Sequence, residues 1–251
     1  MKPQPPIAYA APEGGTSLKF CAAFAQGCKG IVSFEGELRQ GNVAMFGSAK
    51  LLPLLDEAIK RGREWYYGDH AYFRRFEFYR VTKNRWMHTG DGKPGYDRLR
   101  ALDVKIEPWK KRGRHILICP PDQPYAARNG FSEKSWMESV LAVLAKHTNR
   151  PTRIRRRIGA ERSDVTLYED LRAAHAMISH HSNAAVESLC FGIPVFVTGE
   201  CAARSMAETD LTKIETPIYR DDRERWAATL AENQWTLAEI AAGECWKRIG
   251  P

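Results

Sequence analysis

Residues 175–198 read HAMISHHSNAAVESLCFGIPVFVT. A short apolar run ends in four polar residues, a helix-forming run follows, and Gly-Ile-Pro leads into a second β-branched run. Strand, helix and strand packed this tightly constrain the chain to an α/β fold, with parallel strands covered by helices. The same alternation recurs on the N-terminal side. TSLKFCAAFAQGC reads as a helix from Thr16 to about Gly27, GIVSF and NVAMFGS as strands, AKLLPLLDEAIKRGR as a helix with Pro53 in its first turn, and EWYYGD as a strand.

From Arg80 to Arg114 the periodicity fails, and Gly, Pro and basic residues predict loop and linker. A second set begins with the strand HILICPP. The helix SEKSWMESVLAVLAKH follows with Ser132 as its N-cap, then the strand TRIRRRI, the helix LYEDLRAA and the 175–198 unit. Two closing helices, broken at Gly243, end the chain. The expected division is therefore an N-terminal lobe over 1–112 and a C-terminal lobe with closing helices over 113–251, split near Pro108 to Gly113.

The 251 residues have room for two such lobes. Six cysteines are scattered without a Cys-x-x-Cys pair, which argues against a disulfide frame or a cysteine zinc site and predicts a reduced, cytoplasmic protein. No start resembling a secretory signal and no apolar run of membrane-spanning length is present in the sequence, so no membrane span is expected.

In a parallel sheet the ligand lies beyond the carboxyl ends of the strands. His180, His181, Ser182 and Asn183 form the turn at such an end, and the helix from Ala184 directs unpaired N–H groups and a positive dipole end there, which suits an anion such as phosphate. Glu187, one turn into the helix, can reach the same place and accept hydroxyl groups. A second reading stays open on these residues alone: Ser182 as a plain N-cap and Glu187 as a favourable helix charge.

HHSNAAVESLCFGIPVFV resembles the C-terminal nucleotide-binding lobe of GT-B glycosyltransferases and their epimerase relatives, where a Ser-rich turn opens a helix carrying Glu before Gly-x-Pro-Val. The likeness is greatest to capsule-polysaccharide-type transferases and covers roughly residues 115–200; the N-terminal half shares only its α/β alternation. The resemblance implies two Rossmann-like lobes with a cleft between them, and a nucleotide-sugar donor such as a UDP-sugar. It also implies chemistry without a metal or a resident cofactor. By the same resemblance Ser182 and Asn183 meet the donor phosphates with His181 beside them, Glu187 lies near the ribose, and Arg155 and Arg157 of the RIRRR strand are phosphate partners, the other reading being a solvated basic edge. Many retaining members carry a glutamate eight positions before the helix glutamate. Here that position is Ser179, which favours an inverting transfer.

Inversion needs a general base. Asp69 and His70, at a strand end among aromatics, are the candidates, with Asp69 preferred; an Asx turn closing the strand is the competing reading. His88 and Asp91 mark a Gly-rich loop that could serve as a lid, and Asp122 and Gln123 are weaker donor contacts. Arg74, Arg75, Arg85, Lys110, Lys111 and Arg112 are interleaved with Tyr, Phe and Trp, and the formal net charge is +8. Basic and aromatic residues together form a nucleic-acid footprint. The leading expectation is thus a glycosyltransferase resembling phage-type enzymes, adding sugar to a hydroxymethylated pyrimidine of double-stranded DNA held flipped out of the duplex. A transferase acting on a bacterial surface glycan and a non-catalytic nucleotide or nucleic-acid binding module are the alternatives.

Overall fold

The computed structural model describes residues 4–11, 15–34, 36–47, 50–156 and 165–251. In chain order the elements are β1 (Ile7–Tyr9), α1 (Gly15–Cys28), β2 (Ile31–Ser33), β3 (Val43–Phe46), α2 (Leu52–Lys60), β4 (Trp65–His70), β5 (Phe78–Lys83), α3 (Tyr96–Ala101), β6 (His115–Cys119), α4 (Gln123–Arg128) and α5 (Glu133–His147). They continue with β7 (Thr152–Ile154), α6 (Leu167–Leu171), β8 (Ala174–Ser179), α7 (Ala184–Cys190), β9 (Val195–Val197), α8 (Arg223–Ala231), β10 (Gln234–Thr236), α9 (Leu237–Ala241) and α10 (Glu244–Ile249). The chain forms two compact units, Met1–His88 with Ala231–Pro251, and Thr89–Leu230.

The first unit holds a six-stranded sheet in the order β10-β5-β4-β3-β1-β2. Strands β1, β2, β3 and β4 are mutually parallel, whereas β5 and β10 pair antiparallel at one side. Side chains alternate across the pleat, so Ala44 and Tyr66 join Phe20 and Phe24 of α1, while Val43, Met45 and Trp65 join Leu54, Leu55 and Ala58 of α2. Trp235, Ile240 and Cys245 of the C-terminal segment complete the α1 side. Each large apolar side chain buried in this way contributes about 1.5–3 kcal/mol.

The second unit holds a four-stranded, wholly parallel sheet in the order β7-β6-β8-β9. Its central strands β6 and β8 are buried along their whole length, which is why they read as mostly apolar runs. Trp136, Met137, Val140 and Leu144 of α5 form one helical stripe against Ile116, Ile118, Ala176, Ile178 and Phe196. The edge strand β7 is exposed, and Arg153 on it discourages pairing with another chain. Ser132 caps α5 as expected, accepting the Ser135 N–H at 3.0 Å.

Several expectations are corrected. The first sheet is mixed rather than parallel. Residues Arg80–Lys83, read as loop, continue β5, whose apolar residues Tyr79 and Val81 alternate with Arg80 and Thr82. The tail forms three helices and a strand, because Gln234–Thr236 pairs with Phe78–Arg80 and Thr236 then caps α9. The grouping of the chain also differs from 1–112 and 113–251: residues 89–112 belong with the second unit, and residues 231–251 return to the first. Edge pairing and the α1 packing draw the tail there. All six cysteines are buried and free. Among the described residues no helix is long and apolar enough to cross a membrane.

Candidate functional site

The 175–198 unit lies at the carboxyl edge of the parallel sheet, where β6, β8 and β9 end at Cys119, Ser179 and Val197. Its turn is fixed by its own hydroxyls. Ser179 Oγ accepts the Ser182 N–H at 3.2 Å, and Ser182 Oγ accepts the Ala184 N–H at 3.2 Å. Ser179 is fully buried and occupied in shaping the turn, so a small hydroxyl suits this position and a carboxylate does not. Asn183 is the N-cap residue of α7 but makes no side-chain cap bond, and Ser182 serves the first turn instead.

The two histidines separate. His180 Nδ1 lies 2.9 Å from Thr198 Oγ1, which also accepts the Trp136 indole N–H at 2.8 Å, and Phe131 packs on the ring edge-on at 5.0 Å. Burial holds the His180 pKa below the usual histidine value. The ring lies so close to Gly199 that a Cβ there would stand 2.5 Å from Nε2. His181 instead stacks face to face on Tyr125, with centroids 3.6 Å apart and planes 8° from parallel. Tyr125 is a residue that sequence reasoning misses: Asp122 and Pro124 mark a helix start but give no sign of what its first turn meets. Asp122 caps α4 by accepting the Tyr125 N–H at 2.9 Å, with a proline in the first turn. Gln123 accepts the Glu133 N–H at 3.1 Å. Asp122 and Gln123 therefore hold the loop in place, and Tyr125 is the residue they present to the turn.

Glu187 approaches the end of β6 from α7. Its charge reaches Cys119, Tyr168 and Cys190. Arg155 and Asp170 act on the same Cys119 thiol, which burial pushes up to about 12. That thiol is not a nucleophile. Arg155 Nη1 binds Asp170 at 2.7 Å and the Val165 carbonyl at 2.9 Å, so the expected phosphate partner is half committed within the chain. Arg157 lies outside the described residues. Chemically, the turn hydroxyls stand at the end of β8, and Arg155, Asp170 and Glu187 all act at the end of β6. The N–H groups of Ser182, Ala184, Ala185 and Val186 are taken within the turn, so an anion there meets hydroxyls and side chains rather than the unpaired helix N–H groups expected, while the carboxylates suit a ring bearing hydroxyl groups.

In the first unit Asp69 stands opposite Arg80 in the antiparallel register of β4 and β5. One carboxylate oxygen takes Arg80 Nη2 at 2.5 Å and the other takes the His70 N–H at 2.7 Å. Burial is the largest influence and works against the Arg80 charge, but Asp69, Tyr72 and Tyr67 together outweigh it and hold the guanidinium above the usual arginine range. Asp69, the residue preferred as base, is thus paired with Arg80. His70 sits among Phe46, Phe76 and Tyr79, with ring centroids at 5.4, 4.8 and 6.0 Å.

His88 and Asp91 are both engaged in hydrogen bonds within their own segment. His88 is buried, lies 2.7 Å from Arg85 through Nδ1 and 3.0 Å from the Val81 carbonyl through Nε2, and gives its N–H to Tyr72. Asp91 accepts the Thr89 hydroxyl at 2.9 Å. Gly90 adopts φ +84 with a Cβ position only 2.1 Å from Trp226, so that loop is packed down.

The expected nucleic-acid residues are divided between the units. Arg74 pairs with Glu77 at 2.5 Å, Arg75 lies over Phe76 at 5.5 Å, and Arg85 is taken by His88. Lys110 binds Glu107 and the Phe191 carbonyl, Lys111 lies over Tyr219 at 5.2 Å, and Arg112 is exposed. A single DNA-binding stripe gains no support from this distribution.

No family model matches the chain, and no curated protein matches it in sequence. Its fold is one that solved glycosyltransferase structures share. Two of these are from Thermosulfurimonas dismutans. The KpsC beta Kdo 2,4 transferase matches with TM-score 0.56 and 12% identity over 89% of each chain. The KpsC beta Kdo 2,7 transferase matches with TM-score 0.56 and 11% identity over 98% of this chain and 100% of the other. At such identities the likeness is one of fold.

Proposed function

We propose that this protein is a glycosyltransferase that takes a sugar from a nucleotide-sugar donor and places it on a hydroxyl of a glycan. The observation that carries the reading is the built turn from Ser179 to Ala184 at the carboxyl edge of the parallel sheet, in a chain whose fold extends over the whole of a known transferase structure. In this reading the donor phosphates meet the turn beside His181 and Asn183. Glu187 accepts hydroxyls of the nucleotide sugar.

His70 takes the acceptor proton, Asp69 being committed to Arg80. The aromatic rings around His70 orient it. A glycan acceptor is favoured over modified DNA, because the solved neighbours are Kdo transferases and the basic residues expected to hold a duplex are scattered and largely paired.

The test is a panel of nucleotide sugars, nucleotide-activated Kdo included, offered with oligosaccharide acceptors and with hydroxymethylated and unmodified duplex DNA. Products are read by mass spectrometry. Transfer to an oligosaccharide and none to DNA is expected. Incorporation into hydroxymethylated DNA would overturn the acceptor assignment, and failure of every donor both to react and to protect the fold thermally would overturn the transferase reading.

A further inference from the structure

The connection between β4 and β5 leaves the sheet at the carboxyl end of β4, immediately after His70. Its base is firmly held. Tyr72 and Phe73 are buried, and the Gln234 side chain, with no exposure at all, gives its amide N–H to the Phe73 carbonyl at 3.1 Å and accepts the Phe73 N–H at 3.1 Å. A buried amide that satisfies both backbone groups of one residue holds the base of the loop in place.

The tip projects in the opposite sense. Arg74 and Phe76 both adopt left-handed backbone angles, φ 51 and φ 77, and Phe76 is 69% exposed. Bulky side chains rarely hold such angles, which persist only where the surrounding structure maintains the strain. The strain here presents a phenyl ring to solvent, with the Arg75 guanidinium 5.5 Å from its centroid and His70 edge-on at 4.8 Å.

We propose that Phe76 and Arg75 form a rigid binding platform for an acidic glycan, Phe76 receiving the apolar face of a pyranose and Arg75 a carboxylate of the same chain. The electron-rich face of a phenyl ring attracts the C–H bonds that line one side of a pyranose. A guanidinium beside it supplies bidentate charge for a carboxylate. The platform adjoins His70, so the bound glycan is the acceptor; that role rests on the transferase reading above. A preordered loop keeps the entropic cost of binding low.

Titration calorimetry on the full chain tests this with hexagalacturonate, a chain of carboxylated pyranoses, and with maltohexaose, its neutral counterpart. Hexagalacturonate is expected to bind more tightly than maltohexaose. Phe76→Ala, at an exposed position, should weaken hexagalacturonate binding at least tenfold, about 1.4 kcal/mol, with an unchanged melting temperature. Arg75→Gln should abolish the preference for the acidic chain. The platform is overturned if hexagalacturonate does not bind, if Phe76→Ala binds it as wild type does, or if the ring proves to bind only vesicles containing anionic phospholipid. Thermal protection by nucleotide sugars, read on the same samples, separates the two readings. Protection without glycan binding removes the platform and keeps the transferase; glycan binding without protection does the reverse.

Discussion

Asp69 and Arg80 show what a cross-strand register can decide for a single residue. Arg80 is buried, and Asp69→Asn would leave its guanidinium without the carboxylate that neutralises it. Because the Asp69 side chain is 33% exposed, the loss is smaller than for a fully buried pair, about 2 kcal/mol. Urea unfolding should show this loss, and adding Arg80→Met should recover most of it; a single variant as stable as wild type would mean the pair contributes nothing. His70→Gln should lower turnover by about 10²–10⁴-fold with donor affinity intact, which separates a base from a donor ligand. Glu187→Ala, at the opposite extreme, should weaken donor binding about tenfold or more, measured by calorimetry, and should leave the fold in place. Asp69 and Glu187 were both visible in the sequence as acidic residues near strand or helix ends. The partner of Asp69 was not, since Arg80 lies across a strand pair.

At the scale of elements, the turn after β8 depends on a contact between neighbouring loops. Gly199→Ala would drive a methyl into the His180 ring, displace it from Thr198 and cost about 1–3 kcal/mol. The lowered melting temperature and a shifted His180 ring resonance should appear together, and a change in neither would show that the ring is not held there. The strand, turn and helix of 175–198 were legible because each is specified by adjacent residues: an apolar run, hydroxyls that bond two or three positions on, and a glycine before proline. Tyr125 was not, because the sequence gives no sign that the first turn of α4 lies against His181. The strand β10 was hidden for a related reason. Gln-Trp-Thr fits a helical apolar period until β5 offers an open edge, and Thr236 is then free to cap the following helix.

For the whole molecule, the C-terminal segment is part of the first unit's core. A chain ending at Leu230 would lose β10, α9 and α10, uncover the α1 side of the core and remove Gln234 from the Phe73 loop. Limited proteolysis should then degrade residues 1–88 while residues 89–230 persist, and continued protection of the N-terminal part would refute the assignment. The second unit carries a pH response of its own. Burial holds His115, His175 and His180 below the usual histidine pKa, so the unfolded chain takes up protons first. Stability is complete above the unfolded value near pH 6.5 and declines as pH falls toward the lower folded values. Melting curves at pH 7.5 and 5.5 should therefore show a fall in this unit that His175→Gln lessens. At still lower pH, Glu208, held down by the backbone N–H groups of Asp210 and Thr209, adds a second loss on protonation. By itself the sequence determined the alternation of strands and helices, the turn at the end of β8 and the parallel character of the second sheet, because hydrophobic period and turn chemistry act over a few residues. Only the tertiary structure decided that the first sheet ends in antiparallel strands, that Asp69 is taken by Arg80, and that Gln234 reaches a loop 161 residues away in the chain. Those choices are made by competition for burial and for hydrogen-bond partners across the whole fold, where no local pattern records the winner.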